Sequence, residues 1–168
     1  MNKTKQIVLL ALLMAAQVAV SFFYIPVADN LRIYFTYLVV ILVANIFPFK
    51  VAILYAFIED ILAFMIYPTG PFFIGYTLTA VAAMVIYSLC LYQKVNLKRI
   101  IIAKVSVNLL VNVGLNSLWS AMLYSKGYLY YMTASLVKNV TLLPIEILII
   151  MLFYKLVKPL LIKYELIK

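Results

Sequence analysis

Apolar sequence runs almost unbroken through six stretches of this chain, at about residues 6–25, 33–47, 50–66, 72–92, 99–124 and 129–157. Nothing else constrains the fold as strongly. About 20 apolar residues carry a helix across a hydrocarbon core of roughly 30 Å, so 168 residues accommodate six crossings with short connections and no sizeable domain outside. A water-soluble domain is excluded, because only 11% of the residues are charged and mean hydropathy is +1.13, whereas ordinary composition is about 25% charged. The runs lack the alternation of a transmembrane barrel. The expectation is an all-α membrane protein, a single integral domain over residues 1–168.

The boundaries are set by backbone breakers: Pro26 with Asp29-Asn30, Pro48, Pro68-Thr69-Gly70-Pro71, the polar run 93–99, and Ser125-Lys126-Gly127. The second span is short, and no internal repeat of the transporter kind is evident. Lys and Arg near the span ends set orientation. With the N-terminus inside, the inner side collects Lys3, Lys5, Lys50, Lys94, Lys98, Arg99, Lys104, Lys155, Lys158, Lys163 and Lys168, and the outer side only Arg32 and Lys126. Both termini are therefore expected on the cytoplasmic side. The basic start and Ala19-Val20-Ser21 resemble a cleavable signal, but the apolar run continues through Ile25, which favours a retained helix.

Composition excludes several activities. Histidine is absent and Cys90 is the single cysteine, which removes histidine-based catalysis, disulfides and CxxC metal sites. No GxxxxGK[ST] loop is present, so any energy from a nucleotide must come from a partner. The net charge of +9 clusters between apolar runs, which points to membrane orientation and not to nucleic acid. No cofactor is implied.

Polar groups at depth carry the remaining information, since ionisable side chains inside a bilayer are costly and face protein or a cavity. At 1.5 Å per residue, Glu59 and Asp60 on the third span and Lys138 on the sixth lie at similar depth, roughly 15 Å in. An ion pair between Asp60 or Glu59 and Lys138 is expected, either to fix helix packing or to hold a lysine whose remaining protons face a ligand. Glu146 shares a face with Asn139 and reads as structural. On the fifth span Asn108, Asn112 and Trp119 fall within roughly 40° of one another, with Asn116 at the edge. Such amides either glue helices together or line a cavity for a flat heteroaromatic ring, with Trp119 as a stacking face or part of the interfacial aromatic belt. The cavity is the favoured reading.

The segment Tyr67-Pro68-Thr69-Gly70-Pro71-Phe72-Phe73-Ile74-Gly75-Tyr76-Thr77 is a rigid outer loop entering a helix, and its aromatics Tyr67, Phe72, Phe73 and Tyr76 are placed to cover or line the cavity mouth. Arg32 can meet an incoming carboxylate in a bidentate fork, or else pair with Asp29. Ala11, Ala15 and Ala19 recur every four residues on the first helix. That stripe serves close contact in lipid, inside the protein or with another membrane subunit.

The alanine stripe, Asp60 followed by Pro68–Phe73, and Asn112…Asn116-Ser117-Leu118-Trp119 together resemble the substrate-binding S components of energy-coupling factor (ECF) vitamin transporters. PTGPFFIGYTL, VNVGLNSLW (Val111–Trp119) and LVKNVTLLP (Leu136–Pro144) are similar to the folate-specific group among them, and Glu146 stands where that group leads one to expect glutamine. The resemblance covers essentially the whole chain. It implies a six-helix fold in a bacterial plasma membrane, with a vitamin site that opens outward and is capped by the loops after helices 1 and 3. It also implies partners, a transmembrane coupling subunit and two ATPase subunits, docked through Ala11, Ala15 and Ala19. Asn108, Asn112 and Lys138 would then meet the pterin edge, Phe72, Phe73 and Trp119 its plane, and Arg32 the glutamate. The other readings are an S component for riboflavin, thiamine or a similar vitamin, and a membrane subunit that binds only neighbouring helices. An enzyme is least supported.

Overall fold

A computed structural model describes residues 2–28, 31–66, 68, 71–124 and 126–167. The first helix, α1 (Lys3–Ser21), stops four residues earlier than its hydropathy implies. The chain then forms an antiparallel hairpin of β1 (Tyr24–Ala28) and β2 (Leu31–Tyr34), with Tyr24 opposite Tyr34, Ile25 opposite Ile33, and a bulge between Pro26 and Ala28. This corrects the all-α expectation locally. Tyr, Ile and Val suit a pleated strand, and proline disfavours helix in the residue before it and sits at bulges in sheets. Over so short a run, hydropathy does not separate strand from helix.

The second helix, α2 (Tyr37–Ile46), is only 10 residues long, about 15 Å. Residues 41–46 are all buried. Helix α3 (Phe49–Ile66) starts directly after Pro48, and α4 (Ile74–Leu91) packs against both α2 and α3. A turn through Gln93, at a left-handed φ of 55°, leads to α5 (Leu97–Ser106), whose N-cap Asn96 accepts from the Arg99 amide at 2.9 Å. The rod continues through a π-helical segment, Val107–Leu115, into α6 (Asn116–Leu123). The last helix, α7 (Tyr128–Lys163), runs 36 residues through Pro144 and Pro159, past the expected end at 157.

Among the described residues, four rods are long and apolar enough to cross a membrane: α1, α4, the α5–α6 rod and α7. Their apolar side chains are widely exposed, among them Leu12, Leu89, Leu129 and Leu156, and the protein is a membrane protein. In lipid, burying a leucine gains little over contact with an acyl chain, so cohesion rests on close packing and polar bridges. The buried cluster centres on α2, with Val43, Phe47, Tyr55, Met84 and Leu91 among its members. Asn45 donates to the Leu91 carbonyl at 2.8 Å, and Tyr154 donates to Asn45 at 3.4 Å.

One end of the bundle gathers both termini. Lys5 Nζ donates to the Tyr164 carbonyl at 3.1 Å, and Gln93 Nε2 lies 3.4 Å from the Ile46 carbonyl and 3.5 Å from that of Leu166. Most of the basic residues assigned above to the inner side lie near this end. Lys104 does not: it is 3% exposed inside the bundle, which removes it from the orientation count. The helix begins at Leu97 rather than at 99, which carries Lys104 about 10 Å inward.

Candidate functional site

A cavity of about 470 Å³ lies between α1, β2, α2, α3, α4, the α5–α6 rod and α7. That volume is within the usual range for a small-molecule site. Its wall is unusually polar for a membrane interior. Gln17 enters it from α1, Tyr37 from α2, Glu59 from α3, Tyr87 from α4, Lys104, Asn112, Asn116 and Ser117 from the rod, and Lys138 and Glu146 from α7.

One part of this wall is a connected network. Lys104 Nζ meets Glu146 Oε1 at 3.1 Å and lies 4.2 Å from the centre of the Tyr37 ring. Asn108 Nδ2 donates to Glu146 Oε2 at 3.1 Å, and Asn112 Nδ2 lies 3.2 Å from Asn108 Oδ1 and 3.1 Å from Asn139 Oδ1. Ser135 Oγ donates to the Asn112 carbonyl at 3.0 Å. These bonds stitch the π-helical segment to α7. Among known folds such segments recur at functional sites. The hydroxyls of Tyr37, Tyr87 and Ser117 and Oδ1 of Asn116 are also buried, belong to residues that line the cavity, and make no hydrogen bond among the described residues. Buried polar groups are nearly always paired, so a cluster of orphans around one cavity marks positions left for a ligand.

A second cleft of about 380 Å³ adjoins the first through Tyr34 and Thr36, which line both. Phe72, Phe73, Tyr76 and Asp60 line it, with Phe64 and Tyr124. Phe73 packs on Trp119 with ring centroids 5.6 Å apart, and Trp119 Nε1 donates to Thr79 Oγ1 at 3.1 Å. Gly75 permits this contact. A Cβ there would come within 2.3 Å of Phe73 and 2.7 Å of Trp119.

The structure therefore divides the predicted residues. Asn112 and Lys138 line the main cavity, and Phe72, Phe73 and Tyr76 line the adjoining cleft. Asn108 is buried behind the wall as a strut, and Trp119 braces Phe73 without lining either space. The predicted partners Asp60 and Lys138 sit in different spaces: Asp60 lines the adjoining cleft, where its Oδ2 accepts the Thr77 hydroxyl at 2.7 Å, whereas Glu59 and Lys138 line the main cavity, and Lys104 pairs with Glu146. Glu59 and Asp60 diverge by about 100° on α3, which sends one to each space. Arg32 belongs to β2, but its side chain lies outside the described set, and Tyr67 lies outside the described residues. Ala11, Ala15 and Ala19 are all exposed on α1, which sets aside packing inside the protein. Sequence reasoning missed Gln17, Tyr37, Tyr87 and the lining role of Lys104 and Glu146. A lone glutamine in an Ala/Leu/Val helix carried the same depth signal as the asparagines.

No protein-family model matches the chain. It is 34% identical over 152 residues to the folate transporter FolT of Leuconostoc mesenteroides, covering 86% of this chain and 81% of the relative. To the folate transporter FolT of Clostridium novyi it is 28% identical over 158 residues, covering 94% and 92%. A crystal structure of FolT bound with folic acid superposes with a TM-score of 0.80 at 30% identity, covering 90% of this chain and 92% of that one. On the identity and coverage of these relatives, the chain belongs to the FolT family of folate transporters.

Proposed function

We propose that this protein is the folate-binding S component of an ECF-type importer in the bacterial plasma membrane, crossing it six times with both termini cytoplasmic. It captures folate from outside and delivers it inward when docked on a transmembrane coupling subunit whose two ATPase partners hydrolyse ATP. The observation that carries this reading is the interior cavity of about 470 Å³, walled by ammonium, amide, hydroxyl and carboxylate groups, in a chain of the FolT family. A pterin ring carries both donors and acceptors around its rim, and primary amides such as Asn112 and Asn116 can meet either kind. Lys138 adds a cation for the ligand's carbonyl or carboxylate oxygens. Arg32, on the hairpin, receives the glutamate carboxylates at the mouth. The hairpin and the α3–α4 loop with Phe72, Phe73 and Tyr76 cap the site. Ala11, Ala15 and Ala19 form the face that meets the coupling subunit.

Calorimetric titration of the purified chain tests this reading. Folate should bind one per chain and compete unaffected by excess riboflavin, thiamine or biotin. Lys138→Ala and Asn112→Ala should each weaken it, by about tenfold or more. Displacement of folate by another vitamin, or two variants with unchanged affinity, would contradict the ligand or the site respectively.

A further inference from the structure

The chain has five acidic residues, and their surroundings separate them. Asp29 lies outside the described residues. Glu165 sits past the end of α7. Asp60 faces the adjoining cleft and accepts from Thr77, and both carboxylate oxygens of Glu146 are engaged, one by Lys104 and one by Asn108. Glu59 differs from all of these. It is 8% exposed, lines the main cavity, and has no hydrogen-bond or ion-pair partner among the described residues. A carboxylate that opens only into a cavity inside the membrane, with no donor among the described residues, is costly enough to call for a partner within that cavity.

Its neighbourhood narrows what completes it. Tyr55, one helical turn earlier on α3, donates its hydroxyl to Gln17 Oε1 at 3.0 Å. Gln17 is itself buried and lines the same cavity. With its oxygen held by Tyr55, its NH2 group is the part left to offer. The wall on the α1–α3 side thus presents two acceptors from Glu59 and a donor from Gln17.

We propose that Glu59 and Gln17 together read the 2-amino-4-oxo edge of the pterin ring, an inference that rests on the folate reading above. The complementary edge presents two donors, the 2-amino group and N3–H, followed by one acceptor, the 4-oxo oxygen. The carboxylate takes the donor pair in bidentate fashion, as it would a guanidinium, and the glutamine NH2 donates to the oxo group. Glu59 is then the specificity residue that separates pterins from flat rings lacking a donor pair. Lys104, Glu146 and Lys138 surround the rest of the ligand.

The test is an equilibrium titration of the purified full chain, wild type and Glu59→Gln, with folate and with its 2-desamino-2-methyl analogue. Wild type should bind folate about 100-fold more tightly than the analogue. Glu59→Gln should weaken folate by about 100-fold and the analogue by no more than about tenfold, because the variant mainly loses the bond that the analogue cannot make. The substitution is isosteric and breaks no hydrogen bond or ion pair among the described residues, so the thermal midpoint of the unliganded variant should stay within a few degrees of wild type. The wild-type comparison needs no variant to fold. Equal affinity of wild type for the two ligands, or unchanged folate affinity in Glu59→Gln, overturns the inference while leaving folate binding intact. Failure of wild type to bind either ligand overturns the folate reading itself.

Discussion

Lys104 and Glu146 meet inside the bundle, 3% and 13% exposed respectively, and each compensates a charge that could not remain alone there. Removing one partner of a buried pair costs about 3–5 kcal/mol, because the other charge is stranded. Lys104→Met should therefore lower the thermal midpoint of the purified protein by roughly 10 °C, and the double variant Lys104→Met/Glu146→Met should recover much of the loss. A Lys104→Met protein as stable as wild type would show that the pair contributes nothing. Gly75 gives a second test. An alanine there drives its Cβ into Phe73 and Trp119, and such overpacking costs about 1–3 kcal/mol. Trp119 is the single tryptophan, so its fluorescence reports the displacement directly, and an unshifted spectrum would contradict the contact. At this scale the sequence was legible as residue type and depth but not as partner. The cost of burial flags Glu59, Asp60 and Lys138 as inward-facing, yet which acid meets which base depends on rotation and tilt of α3 and α7 that spacing alone does not encode.

The elements divide into those whose job hydropathy reveals and those it hides. Boundaries at Pro48, Pro71 and Gly127 fell within a few residues of the observed helix ends, because a missing donor or a free φ acts locally. The hairpin was hidden, since Tyr24–Ala28 is as apolar as the helix before it. The π-helical segment was hidden too: a change from i→i+4 to i→i+5 bonding leaves no mark in hydropathy, and it alters which asparagines face the cavity and which brace α7. Ala11, Ala15 and Ala19 remain exposed, as a docking stripe requires. Ala15→Leu should leave folate affinity within about twofold of wild type and abolish folate uptake by cells that contain the energising subunits, because a bulky side chain there prevents close helix approach. Normal uptake by the variant would remove the stripe from the docking surface.

For the molecule as a whole, architecture and chemistry point the same way. A short, largely buried α2 and the hairpin before it leave room in the centre of the bundle, and the helices around that room contribute polar groups that lipid could not accommodate. Hydroxyls and a carboxylate without partners among the described residues, and a network strung between the π-helical segment and α7, converge on one space of about 470 Å³. Composition already excluded a soluble enzyme, and the motifs around Pro71, Asn112 and Lys138 pointed to the folate group. The cavity wall itself became visible only when seven separate elements were brought together. The most direct measurement is native mass spectrometry of the full chain purified from cells supplied with folate, without added ligand. The account predicts a single mass increment equal to one folate, lost on denaturation. A chain that carries no increment under those conditions, or one matching a different vitamin, would contradict it.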